Sequence, residues 1–337
     1  MKSVIRTILF TFVVLSLASS CDKWTQPQNL DFHRKTPQQL DPSGYEKYLE
    51  GIREYKKSEH KQMFVTMKVY ETHPSSQNQH LMAMPDSADF ICVTMDGDEI
   101  YKSVADEIKQ VRESKGTEVL LNVDYAPIYA EWSVLEDQRA DEGRPAATDE
   151  EIVSFFKSKT QAQLENCTKY GFHGLQVTYV GNRSTHFYQL SQDTYISTIM
   201  EFYKNTSGLR LVFRGSARNI VDKEFLAAIS HVVIIAGEEK KLNVLVTRLG
   251  DAPTDRIIME VTVPSTDNPE QVGRSAVEAA QWVLEEQNNE KFTPLGLAVS
   301  NAYDDYFNKI SAFWNIRTAI NTMNPSTSEV VPSEDEK

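Results

Sequence analysis

The 337-residue chain carries 48 acidic against 35 basic residues, a formal net charge of −13, and 40% of its residues are hydrophobic. The hydrophobic share is ordinary for a soluble globular protein, while the negative balance and the lack of a basic stripe argue against nucleic acid and disfavour polyanionic glycans as partners. Three cysteines, with no CxxC and no His-rich metal spacing, give no basis for expecting a metal or a cofactor.

The chain begins with Lys2 and Arg6, then an apolar run from Ile8 to Leu17. Leu17-Ala18-Ser19-Ser20-Cys21 then places small residues before a cysteine, as a lipobox does. Residues 1–20 therefore read as a lipoprotein export signal, too short and wrongly flanked for a mature membrane span. Cys21 is the expected lipidation site and would fix the chain to a membrane; the alternative is an ordinary secretory signal with an incidental cysteine. Residues 1–20 hold two basic and no acidic residues, so 33 basic and 48 acidic residues remain after them, a charge of −15. Residues 21–45 are polar and punctuated by proline, and are expected to form a tether.

The regular elements follow. A short helix is expected over 44–57, strand one at Gln62–Val69, and strand two at Phe90–Met95 behind the turn Pro85-Asp86-Ser87. Ile100 to Ser114 has apolar residues at helical spacing, and Glu118–Val123 reads as strand three. The stretch from Asp124 to Ala147 is expected to be the longest loop. Thr148, with Glu151 three residues on, forms a capping box that opens a long helix, and Gly171 stops it. The alternating, β-branched run after Gly171 is strand four. Helix 193–203, strand five at Leu209–Phe213 and a helix capped by Asp222 come next. Strand six (Val232–Ala236), strand seven (Arg256–Val263), helix 274–287, strand eight (Leu295–Val299) and a helix at 309–323 complete the set. Residues 326–337 form an acidic tail expected to be disordered. Eight strands separated by helices predict a parallel sheet. No GxGxxG follows strand one, so the dinucleotide fold lacks its fingerprint. The span 46–325 suits a single-domain (β/α)8 TIM barrel of the α/β class.

The run Tyr170-Gly171-Phe172-His173-Gly174-Leu175-Gln176-Val177-Thr178-Tyr179-Val180 carries the functional signal. It resembles the fourth barrel strand of glycoside hydrolase family 18, the chitinases and endo-β-N-acetylglucosaminidases, which reads roughly YGFDGxDxDxE. In this chain the four carboxylates of that pattern are replaced by His173, Gln176, Thr178 and Val180. The resemblance implies a family 18 barrel in which the substrate's own N-acetyl group is the nucleophile and a glutamic acid protonates the leaving oxygen. Val180 cannot donate a proton, and neither Gln176 nor Thr178 carries the negative charge that stabilises the intermediate. The family also tends to carry a tyrosine near strand six, where this chain continues into Ala236-Gly237. The N-terminal texture, a lipobox and tether followed by GYEKYLEGIREYKKSEHK, is similar to lipoprotein members of the family in Gram-negative gut bacteria, encoded among glycan-uptake proteins.

In such barrels ligands sit at the C-terminal ends of the strands. The candidate ligand-binding residues there are Asp124, Tyr125, Trp132, Gln176, Thr178, Arg214, Asn301 and Tyr303. Aromatic rings suit the C–H face of a pyranose and planar polar groups suit its hydroxyls; the same aromatics could equally be anchors packed inward. His173 is expected to be packed or hydrogen-bonded rather than a base, Tyr179 to face the helix layer, and Trp282 and Trp314 to be core. Cys92 and Cys167 are expected to be buried free thiols. The expectation is an outer-membrane or cell-surface lipoprotein that binds an N-acetylglucosamine-containing glycan on a degenerate barrel with no catalytic residue. One alternative is an active hydrolase whose acid has moved to Asp124 or Glu131. The other is a scaffold within an outer-membrane transporter complex that binds no sugar.

Overall fold

The computed structural model describes residues 36–265, 269–270 and 273–325. The export signal, Cys21, most of the tether and the acidic tail lie outside these residues. The chain divides into a small unit ending at Lys47 and a second from Tyr48 to Lys337. The described end of the stretch expected as tether is helical: α1 spans Pro37–Leu40 and α2 spans Pro42–Lys57. Asp41 starts α2 by accepting the Gly44 amide at 2.9 Å. Pro42 costs nothing as first helical residue, because its missing N–H would have had no partner there.

The second unit is a closed parallel barrel in the order β1 to β8, each strand paired with its sequence neighbours and β8 with β1. The strands are β1 Gln62–Tyr70, β2 Phe90–Asp96, β3 Glu118–Asp124, β4 Gly174–Tyr179, β5 Arg210–Gly215, β6 His231–Ile235, β7 Ile257–Val261 and β8 Pro294–Val299. All eight expected strands are present, within about two residues at each end, because each is an apolar run bounded by turn residues. Around them lie α3 Lys102–Lys115, α4 Tyr125–Asp141, α5 Asp149–Tyr170, α6 His186–Asn205, α7 Lys223–Ala228, α8 Leu242–Leu245, α9 Ala276–Glu285 and α10 Trp314–Met323.

Alternation along the strands separates two cores. One lies between sheet and helices. The other fills the barrel, with Phe64, Phe90, Cys92, Leu120, Val212, Val233, Ile258 and Ala298. β4 supplies none of these eight, and its inward positions are glycine and polar residues. The Thr148–Glu151 capping box forms, and Gly171 ends α5 in the left-handed region at φ 69°. Gly215 (φ 138°) ends β5 so close to β4 that a Cβ there would lie 2.0 Å from the Tyr179 carbonyl oxygen.

The largest departure from expectation is α4, which occupies the predicted long loop. Asp124 caps it by accepting the Ala126 amide at 2.9 Å, and Tyr125, Ile128 and Trp132 form its buried stripe. Helix α6 also begins earlier than expected, at His186, because Thr185 caps it through the Tyr188 amide. Trp314 is 41% exposed rather than core, whereas Trp282 is buried. Cys92 and Cys167 are buried free thiols. Among the described residues no helix is long and apolar enough to cross a membrane.

Candidate functional site

Strand pairing sets the site. Asn122 lies beside Gln176, and Asp124 beside Thr178; on the other side Thr178 lies beside Arg214. These side chains point into the upper barrel, above the apolar interior layer. Thr178 Oγ1 donates to Asn122 Oδ1 at 2.6 Å and Gln176 Nε2 donates to the same oxygen at 3.4 Å. Asn122 Nδ2 passes the chain on to Thr94 Oγ1 at 3.2 Å. Gln176 and Thr178 are each only 2% exposed. The floor beneath the mouth is thus a neutral relay of amides and hydroxyls centred on Asn122.

Charge enters from β3, β5 and β7. Arg214 makes a bidentate pair with Glu260, Nε to Oε2 and Nη2 to Oε1, both at 2.6 Å. Burial opposes the Arg214 charge, but the hydrogen bonds and attraction from Glu260 outweigh it and leave the guanidinium more firmly protonated than usual. Asp124 behaves the other way. Its carboxyl is pushed above the usual range by burial, against the opposing effects of the Ala126 amide and Arg214. Glu260 was not among the expected residues. Its signal was legible: a lone acid in the apolar strand Ile257-Ile258-Met259-Glu260-Val261, which burial can accept only beside a partner.

The other expected residues separate. His173 sits at the start of β4, where Nδ1 accepts the Val119 amide at 2.9 Å. That bond fixes the neutral tautomer, and burial, aided by Arg112, holds the ring's pKa down to about 4. Val180 follows β4 and is 60% exposed at the rim. Tyr179 faces the helix layer and is fully buried, as expected. Tyr125 points the same way rather than toward the mouth: its hydroxyl meets Ser191 Oγ at 2.8 Å and its ring packs on Phe156. Trp132 is buried among Phe155 and Phe156 of α5 and Phe187 of α6. These two correct the expectation of mouth platforms, because the helix turns their rings into its packed stripe. Asn301 ties down the segment after β7, accepting the Val263 amide and donating to the Val263 carbonyl, each at 2.9 Å. Tyr303 is half-buried, and its carbonyl accepts from Asn78 at 3.3 Å. Glu131 pairs with Lys159 at 2.5 Å, between α4 and α5.

A cavity of about 570 Å³ opens at the end of β6, lined by Ile235, Ala236, Gly237, Glu238, Lys240 and Arg248 among others. Among the described residues no group of three or more His, Cys, Asp or Glu side chains is placed to hold a metal ion.

Comparison with known proteins agrees with this architecture. The sequence model described as glycoside hydrolase family 18, BT1044-like, matches residues 25–322. Among solved structures, the chain is similar to an endo-beta-N-acetylglucosaminidase from Cordyceps militaris, with TM-score 0.59 and 14% identity over 82% of this chain and 95% of that one. A double variant of that enzyme is in complex with fucosyl-N-acetylglucosamine-Asn, and is similar with TM-score 0.58 at 14% identity, covering 82% of this chain and 95% of that one. A variant of BT1044 is similar with TM-score 0.58 and 17% identity over 84% of this chain and 94% of that one. At these identities the likeness is one of fold. No curated protein sequence matches the chain.

Proposed function

The chain belongs to glycoside hydrolase family 18, in its BT1044-like group, and from that premise we propose that its barrel mouth binds N-acetylglucosamine-containing glycans without cleaving them. One observation carries this reading. The positions that the family's strand-four pattern fills with carboxylates hold His173, Gln176, Thr178 and Val180, and the two inward ones are consumed in a neutral relay through Asn122. Hydrolysis needs a group that hands a proton to the leaving oxygen, and losing general acid catalysis costs on the order of 10²–10⁴ in rate. Glu260 is a poor substitute, since both its oxygens accept from Arg214. The neutral floor suits binding, because amide and hydroxyl groups can exchange their partners for sugar hydroxyls without stranding a charge.

A second reading, hydrolysis with Asp124 as the acid, draws on the raised pKa of that carboxyl, the property a general acid requires. Against it, one Asp124 oxygen already caps α4. Glu131 is further weakened as a candidate by its pair with Lys159. We place the protein as a lipoprotein anchored through Cys21 at the outer membrane or cell surface of a Gram-negative bacterium, serving glycan capture beside a transporter. Incubation with chitooligosaccharides and N-glycans should release no reducing sugar. Turnover abolished by Asp124→Ala would establish the second reading instead. Absence of any glycan binding, with co-purification of a transporter, would favour a scaffold.

A further inference from the structure

Two polar atoms at the barrel mouth are left over from the pairing described above. Arg214 gives Nε and Nη2 to Glu260, both at 2.6 Å, and among the described residues its Nη1 meets no acceptor. Asp124 turns Oδ1 to the Ala126 amide at 2.9 Å, and among the same residues its Oδ2 meets no donor. Both residues are half-buried, yet neither leftover atom is sealed away from solvent without a partner. Both side chains leave inward-facing strand positions, of the same parity as Leu120 and Val212 in the barrel interior, so the space they reach is the mouth. They also stand at one level. Thr178 is the register partner of Asp124 on one side and of Arg214 on the other. Two strand spacings, roughly 9.5 Å, separate the backbones of the acceptor and the donor.

We propose that Asp124 Oδ2 and Arg214 Nη1 together read the acetamido group of one N-acetylhexosamine, the carboxylate accepting its N–H and the guanidinium donating to its carbonyl. This rests on the glycan-binding reading of the mouth and names what makes that binding selective. Charge narrows the ligand. A carboxylate drawn to Arg214 would meet Asp124, and an ammonium drawn to Asp124 would meet Arg214. A neutral group with one donor and one acceptor satisfies both. A hydroxyl carries the two functions on a single atom and would have to touch both residues at once. An amide turns them to opposite sides and so bridges the two residues over Thr178. Both bonds would have a charged partner, the stronger kind. A site built to bond a group rejects an analogue without it, because its own polar atoms then stay unpaired. Glucose, with a hydroxyl in place of the acetamide, is that analogue. The two charged residues come from β3 and β5, outside the strand-four run whose carboxylates are replaced.

The test is calorimetric titration of the full chain with chitotetraose and with cellotetraose, which share their linkage and differ in acetamide against hydroxyl. The parent should prefer chitotetraose by about tenfold or more. Asp124→Asn keeps an oxygen for the Ala126 amide but puts a donor where Oδ2 accepted, and should erase that preference. Arg214→Lys keeps a positive charge beside Glu260 but loses the planar fork, and should erase it as well. Urea unfolding checks that each variant folds; if one does not, the other decides. The proposal is overturned if the parent binds the two oligosaccharides alike, or if the folded variants keep the preference; the mouth reading then stands. Turnover of chitotetraose that Asp124→Asn abolishes also overturns it and assigns Asp124 to hydrolysis. If neither oligosaccharide binds, the mouth reading falls together with the proposal.

Discussion

Arg214 places a fixed positive charge at the barrel mouth, and Glu260 answers it with both oxygens. Glu260 is 4% exposed and Arg214 21%, so neither can recover hydration if its partner is removed. Glu260→Ala should therefore lower unfolding free energy by about 3 kcal/mol or more, measured by urea denaturation. Arg214→Met with Glu260→Leu should recover much of the loss, because no unpaired charge remains. A Glu260→Ala protein as stable as the parent would show that the pair is hydrated. Arg214 was legible as a planar polar residue after strand five and Glu260 as a lone acid in an apolar strand, but their pairing was not, because pairing across β6 is a property of barrel closure and not of local sequence. Asn122, the hub of the neutral relay, escaped notice for the same reason. Its oxygen gains meaning only when β4 is seen beside β3.

At the scale of elements, the strands were readable and the α4 helix was not. Strands announce themselves by alternation between turn residues, and each barrel strand needs only that local rule. Helix α4 mixes apolar and polar residues around its circumference and carries Pro127 in its first turn, which reads as loop. The signal that was present is Asp124 as a cap followed by Tyr125, Ile128 and Trp132 at spacings of three and four. The misreading moved Trp132 from a packed stripe to a ligand platform. Trp132→Ala should accordingly destabilise the fold by about 3–5 kcal/mol in denaturant unfolding, through the lost packing against Phe155, Phe156 and Phe187. A fully stable variant with altered binding alone would mean that the ring is not a packing residue.

For the whole molecule, two histidines set a pH dependence. His173 and His231 are both held down to about 4, chiefly by burial. Below about 6.5 the unfolded chain takes up these protons while the folded chain refuses them until near 4. Stability attributable to this pair is therefore complete above pH 6.5 and falls as pH drops from 6.5 to 4, by on the order of 1 kcal/mol per pH unit for each ring. His60 acts in a different window. Burial lowers its pKa but Asp89 raises it more, to a net increase, so its contribution is constant below 6.5 and is lost as pH rises through the folded value. Urea midpoints taken from pH 7 to 4.5 should fall, and His231→Gln should flatten the fall; a slope untouched by that change would remove His231 from the explanation.

The barrel, its closure and its family rhythm were visible in 337 letters because repetition of one local pattern eight times leaves few architectures open. What the mouth does with a sugar depends on charges brought together by that closure. Calorimetric titration of the full chain with a chitooligosaccharide, followed by assay of reducing ends in the same sample, measures both halves at once. Saturable heat with no new reducing ends is the predicted result. New reducing ends that vanish in Asp124→Ala would contradict it.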